Sequence, residues 1–281
     1  MRRIVLFALL IGLVAASRVD AQQRPLVTED PETIGSGLIL IEAGVDLQRD
    51  MLLPVSGLSG NLLRLPTLGV SFGVSSIAEI QIDGGIYNGF DVTDRDPFAP
   101  LAFMLDFEGD HTSGVEDLVV GTKLRLVPEG PGRPALGLRF ATKLPFASNE
   151  SGLGLDTIDF HASLLMGKTV QSIRIVGNGG LSILSDPTRG DRQNNVMTYG
   201  LSLARAVAQG VEIVGEVNGR YDGQDDPPPG TDNRGALRFG GRFTRGTVRV
   251  DGGIIIGLTA RDPSFGITGG LTWVFRGFTI P

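Results

Sequence analysis

The sequence predicts an all-β protein, a transmembrane antiparallel up-and-down β-barrel of about 12 strands. Three observations carry this. Apolar residues recur at every second position in successive runs, brief and long connections alternate along the chain, and a secretory signal stands at the N-terminus while no later apolar stretch is long enough for a helical span.

Arg2 and Arg3, the apolar run Ile4 to Ala16, and Val19-Asp-Ala21 ahead of Gln22 form the three zones of a signal peptide. Residues 1–21 are therefore expected to be cleaved on export. Loss of Arg2, Arg3, Arg18 and Asp20 removes a net +2, so the formal charge of −6 becomes −8 in the mature chain. An acidic chain of this kind argues against a nucleic-acid partner. With no cysteine, a disulfide framework, a thiolate metal site and a cysteine nucleophile are all excluded. The 41 glycines suit twisted, tightly turned strands, and arginine far outnumbers lysine as the cation.

Residues 22–33 hold two prolines and no alternation, and are expected to be a periplasmic lead-in to a barrel over 34–281. The first strand is placed at about Gly35 to Leu47, with Ile39, Ile41, Ala43, Val45 and Leu47 opposite Glu42 and Asp46. The second runs from about Leu62 to Phe72 and is interrupted by Pro66. A third, about Ala78 to Asn88, sets Ala78, Ile80, Ile82 and Ile86 against Glu79, Gln81, Asp83 and Tyr87. A long connection from about Gly89 to Glu116 follows, rich in Asp, Pro and Phe.

The next three strands have the plainest pattern. Leu118, Val120, Thr122, Leu124 and Leu126 alternate with Val119, Gly121, Lys123 and Arg125. Leu136, Leu138, Phe140, Thr142 and Leu144 alternate with Gly137, Arg139, Ala141 and Lys143. Ile158, Phe160, Ala162, Leu164 and Met166 alternate with Asp159, His161 and Ser163. In a lipid-embedded barrel the apolar face points outward and the charged face inward. Six more strands are expected, at about Ile173–Leu184, Val196–Ala206, Val211–Asp222, Arg234–Thr244, Thr247–Thr259 and Phe265–Arg276. Brief connections at Val74–Ser76, Pro128–Arg133, Val170–Ser172, Val207–Gly210 and Arg245–Gly246 alternate with longer ones such as Ser185–Asn195 and Gly223–Asn233. An even strand count with both termini on the short-turn side fits a bacterial outer-membrane barrel.

The inward face then collects the candidate lumen-lining residues Glu79, Asp83, Lys123, Arg125, Arg139, Glu212, Glu216, Arg220, Arg234, Arg238 and Arg242. Charges that lipid cannot solvate must meet water or one another. Twelve strands enclose a lumen between that of a filled eight-stranded barrel and that of an open porin, so a narrow, charge-lined passage is expected. Arg234, Arg238 and Arg242 recur at spacing four on one face. They read either as an anion-tracking ladder or as half of a structural network with the inward carboxylates.

Asp117-Leu-Val-Val-Gly-Thr-Lys-Leu-Arg-Leu, Pro134, Lys143-Leu-Pro145 and Gly152-Leu-Gly-Leu-Asp-Thr-Ile-Asp159 together resemble the bacterial outer-membrane family labelled "putative meta-pathway of phenol degradation". Where that family commonly reads Pro-Thr-Gly, this chain has Pro145-Phe146-Ala147. The alternation from Phe265 to Phe275 resembles the C-terminal strand signal of outer-membrane proteins. The resemblance implies a transporter-like barrel passing small solutes, including aromatic or hydrophobic compounds, surrounded by outer-membrane lipid and inserted by the barrel-assembly machinery. It implies no catalytic residue, cofactor or metal.

Two other chemistries have candidate residues in the sequence. His111-Thr-Ser113 and His161-Ala-Ser163 invite comparison with a barrel lipid hydrolase that takes Ser and His from one strand, but the alternation turns His161 and Ser163 inward. Asp91, Asp94 and Asp96 could coordinate Ca²⁺ through carboxylate oxygens, yet their spacing is not that of an EF-hand, and solvated loop charge is the favoured explanation. A closed barrel serving structure or surface contact is the alternative to a channel.

Overall fold

The computed structural model describes residues 24–279 and contains fourteen strands. They are β1 (Leu38–Leu53), β2 (Leu58–Gly73), β3 (Ala78–Gly85), β4 (Asn88–Arg95), β5 (His111–Gly114), β6 (Leu118–Val127), β7 (Ala135–Leu144), β8 (Asp159–Val170), β9 (Ile173–Ser185), β10 (Gln193–Ala208), β11 (Val211–Tyr221), β12 (Arg234–Arg245), β13 (Val248–Gly257) and β14 (Phe265–Arg276). Every pairing is antiparallel, and β1 pairs with both β14 and β2, which closes the sheet.

The wall nevertheless has twelve courses, as the alternation predicts. β4 prolongs the course of β3, because both pair with β2, which meets β3 over Thr67–Gly73 and β4 over Leu58–Arg64. β5 prolongs the course of β6 in the same way, through β4 and β3. The break in β2 falls at Pro66. Lacking an N–H, proline fits a place where the ladder is already irregular, and the β1–β2 register shifts there between Gly44 and Asp46.

Strand ends differ from expectation mainly at the long-loop end. β1 and β2 run past their expected ends near Leu47 and Leu62 and stop at a tight turn over residues 54–57, the tip of their hairpin. Gly57 has φ +76°, and a Cβ there would lie 2.4 Å from the Asp96 carbonyl oxygen, so the turn requires glycine. The long connection is also more ordered than its composition suggests. It holds β4, β5 and a 3-10 turn, Ala102–Met104. Leu58, Phe90 and Val92 form a small apolar core there, packed by Leu62, Leu105, Phe107 and Leu153.

Along the barrel, the alternation places Leu164, Leu181, Leu201, Leu203, Ile213, Val250, Ile267 and Leu271 on the outside, all substantially exposed. In water this belt would be a large unfavourable surface; in a bilayer it is the contact with lipid. Trp273 and Phe275 stack on the same outward face near the short-turn end, at a centroid separation of 4.3 Å, where an aromatic girdle belongs. Leu201, midway along β10 and 51 % exposed, tests the orientation. Leu201→Arg is expected to lower barrel stability by about 2–4 kcal/mol, the cost of a guanidinium at mid-bilayer, read from urea unfolding in lipid vesicles; a loss below about 0.5 kcal/mol would place the residue outside the bilayer core.

Candidate functional site

The lumen is not empty. From Arg24 to Ile34 the chain runs inside the barrel as an irregular strap, which corrects the expected periplasmic lead-in (22–33) for residues 24–33; residues 22 and 23 and the signal segment at 1–21 lie outside the described residues. The physical reason is charge. Glu29, Asp30 and Glu32 meet inward-facing cations whose burial would otherwise be costly.

The contacts follow the strap around the wall. At its C-terminal end the Ile34 N–H donates to Glu79 Oε2 at 2.8 Å. Glu32 pairs with Arg125 at 2.5 Å, and Asp30 accepts both Nε and Nη2 of Arg174, at 2.8 and 2.6 Å. The Glu29 carboxylate lies 3.4 Å from Lys123 and 3.0 Å from Arg139, while its backbone exchanges two hydrogen bonds with the Asn178 amide. Successive amides of Val27 and Thr28 both donate to the Glu216 carboxylate, at 2.9 Å to separate oxygens. Arg24 donates to Thr67, Thr268 and the Gly269 carbonyl, with Asp251 at 3.5 Å.

Inward glycines make room for it. A Cβ on Gly137 or Gly167 would lie 3.2 or 3.0 Å from Pro31, one on Gly200 2.8 Å from Thr28, and one on Gly240 3.0 Å from Pro25. On Gly44 and Gly270 it would strike the Arg24 guanidinium at 2.3 and 2.4 Å. The glycine excess is thus in part a seat for the strap.

The strap borders three cavities. Leu26, Thr28, Asp30 and Glu32 line a cavity of about 440 Å³ at the short-turn end, beside Pro128, Glu129 and Ser172. Val27 and Glu29 face one of about 500 Å³ that also holds His161, Ser163 and Asn178. A third, about 310 Å³, lies by Arg24, Arg64, Glu116 and Asp117. Glu129 sits in the Pro128–Arg133 turn, outside the strands. Burial pushes its carboxyl up, but the Thr169 N–H, Lys168 and Arg174 together hold it below the ordinary value of 4.5.

All eleven candidate residues lie on the inward face, each engaged. Lys123 is fully buried between Glu79, at 3.0 Å, and Glu29. Asp83 is 3.6 Å from Arg139. Arg238 pairs with Glu216 at 3.4 Å and Arg242 with Glu212 at 2.7 Å, while Arg234 reaches the Arg261 carbonyl and Asp262. Arg220 donates to the Gly230 and Asp232 carbonyls of a long loop. The three arginines therefore enter a network with carboxylates and carbonyls instead of forming an unpaired ladder. The residues missed from the sequence are Arg24, Glu29, Asp30 and Glu32.

Neither histidine builds a nucleophile facing lipid. His161 Nδ1 lies 2.7 Å from Ser182, with Ser163 turned toward the lumen. His111 bonds Asp91 at 2.8 Å at the exposed long-loop end. Among the described residues no group of three or more His, Cys, Asp or Glu is placed to hold a metal ion.

The fold has counterparts among solved structures. An outer membrane channel from Pseudomonas putida F1 superposes with a TM-score of 0.62 at 13% identity, covering 88% of this chain and 98% of that one. The translocator domain of the autotransporter NalP from Neisseria meningitidis gives 0.46 at 11% identity, covering 86% and 89%. No curated protein matches in sequence. The sequence profile of the family described as "Putative MetA-pathway of phenol degradation" matches residues 66–274, from within β2 to near the end of β14. The chain belongs to that family.

Proposed function

We propose that this chain is exported through its signal segment, inserted by the barrel-assembly machinery into the outer membrane of a Gram-negative bacterium, and works there as a non-enzymatic channel for small solutes. The observation that carries the reading is a polar, charged lumen with cavities on either side of a single strap, inside a wall whose outer face suits lipid. The likeness to a barrel described as an outer membrane channel supports it, and the family description directs attention to aromatic compounds and their breakdown products. Passage would be binding and diffusion past the inward charges, Lys123, Arg139, Glu216 and Arg238 among them, with no covalent step.

A closed structural barrel is the second reading, and the ion-paired strap is what favours it. The two part in a planar bilayer. Refolded mature protein is expected to give small discrete conductance steps as a channel; silence from a protein that runs as a folded, heat-modifiable barrel would replace the channel by the closed barrel.

A further inference from the structure

The strap's carboxylates are arranged as a ligand would be. Asp30 and Glu32 sit two residues apart, where the Glu32 N–H donates to Asp30 Oδ1 in a local turn, and both line the same short-turn cavity. Asp30 takes Arg174 in the two-point geometry that a guanidinium offers to any planar carboxylate. Glu32 takes Arg125 at 2.5 Å. Arg242 and Arg249, which share Glu212 at 2.7 and 3.8 Å, and Glu129, which pairs with the remaining Nη1 of Arg174 at 2.6 Å, complete the charged lining.

From this we propose that the short-turn cavity is a binding site for small organic dicarboxylates, with Arg125 and Arg174 each taking one carboxylate. In the state described here, Asp30 and Glu32 of the strap occupy both positions. The inference deepens the channel reading by naming a solute class, and rests on it for the solute's passage. A solute competes with the strap's own acids, so affinity is low while the strap is docked and rises when its charges are removed. The cavity, about 440 Å³ beside the strap, has room for a single aromatic ring carrying two such groups.

The test uses the full mature chain, refolded in detergent, with terephthalate as the probe and benzoate as the one-carboxylate control. Asp30→Asn with Glu32→Gln keeps the strap's backbone bonds to Asn178 and Glu216 while removing the competing charges. Calorimetry is expected to show terephthalate binding at least tenfold more tightly to this double variant than to the unaltered chain. Adding Arg174→Gln should abolish the gain. If the double variant does not run as a heat-modifiable barrel, Asp30→Asn alone carries the same comparison. Equal tightening for benzoate and terephthalate, or no tightening for either, overturns the site. Conductance of the same proteins separates the two readings: steps without terephthalate binding leave the channel and remove the site, whereas tightened binding without steps keeps the site and removes the channel.

Discussion

Lys123→Met is expected to cost about 3–5 kcal/mol of barrel stability, the usual penalty for leaving a buried charge without its partner. The ammonium is completely buried in the wall, 3.0 Å from Glu79 and 3.4 Å from Glu29. Glu79 would retain the Ile34 N–H and the Gln81 amide, and Glu29 would retain Arg139, but both carboxylates would lose the cation between them. Urea unfolding in lipid vesicles measures the loss. A compensating Glu79→Gln in the same chain should recover at least half of it, because the buried negative charge then goes together with the positive one. A loss below about 1 kcal/mol would mean that water reaches Lys123 and that the wall is looser than its packing implies.

How much of this could be read from the chain depends on which interactions are periodic. The wall was legible because each strand repeats its in–out alternation over many residues, and a one-residue slip would place charge in lipid. Leu118 to Val127 shows the rule: Lys123 is buried inward while Val120 and Leu126 are exposed outward. The division of the long connection into β4 and β5 was not legible. His111–Gly114 is four residues long, too short to show a period, and is held as a strand by its pairing with β4. Pro66 marked an irregularity without saying that β2 changes partners there.

The strap was hidden for a different reason. Its contacts join residues as far apart as Arg24 and Thr268, and no local pattern announces them. Two signals bear on it in hindsight. Three acids stand within four positions, Glu29 to Glu32, ahead of a wall rich in inward cations, and glycines recur at inward positions where a closed wall has no evident use for missing side chains. Neither becomes specific until the register shows Gly137, Gly167, Gly200 and Gly240 lying along one path. The arginine triplet shows the same limit. Spacing four correctly put Arg234, Arg238 and Arg242 on one face, but their carboxylate and carbonyl partners lie on neighbouring strands and loops, beyond what spacing reports.

If the strap is the element that governs access to the lumen, Glu216 is its principal catch, and Glu216→Ala is expected to release it. A single buried carboxylate accepts the N–H groups of both Val27 and Thr28. No other wall side chain holds two successive strap amides among the described residues. Hydrogen bonds to a charged acceptor are worth about 1.5–3 kcal/mol each, so losing both shifts the docked–released equilibrium by at least about 3 kcal/mol, or roughly a hundredfold. The barrel should remain closed, because the β10–β11 and β11–β12 ladders depend on backbone pairing and not on this side chain. A glutamate-specific protease is the direct probe. Glu29 and Glu32 now lie inside the lumen against Arg139 and Arg125, and the bonds that follow them should be cut at least tenfold faster in the variant while the folded barrel persists. Conductance should rise in parallel, with a shift toward anions because Arg238 loses its partner. Glu216→Gln, which keeps an acceptor for one of the two amides, should fall between the variant and the unaltered chain. Cleavage and conductance unchanged in Glu216→Ala would show that the salt bridges of Glu29, Asp30 and Glu32 hold the strap by themselves, and would move the control of access from the β11 wall to Lys123, Arg125, Arg139 and Arg174.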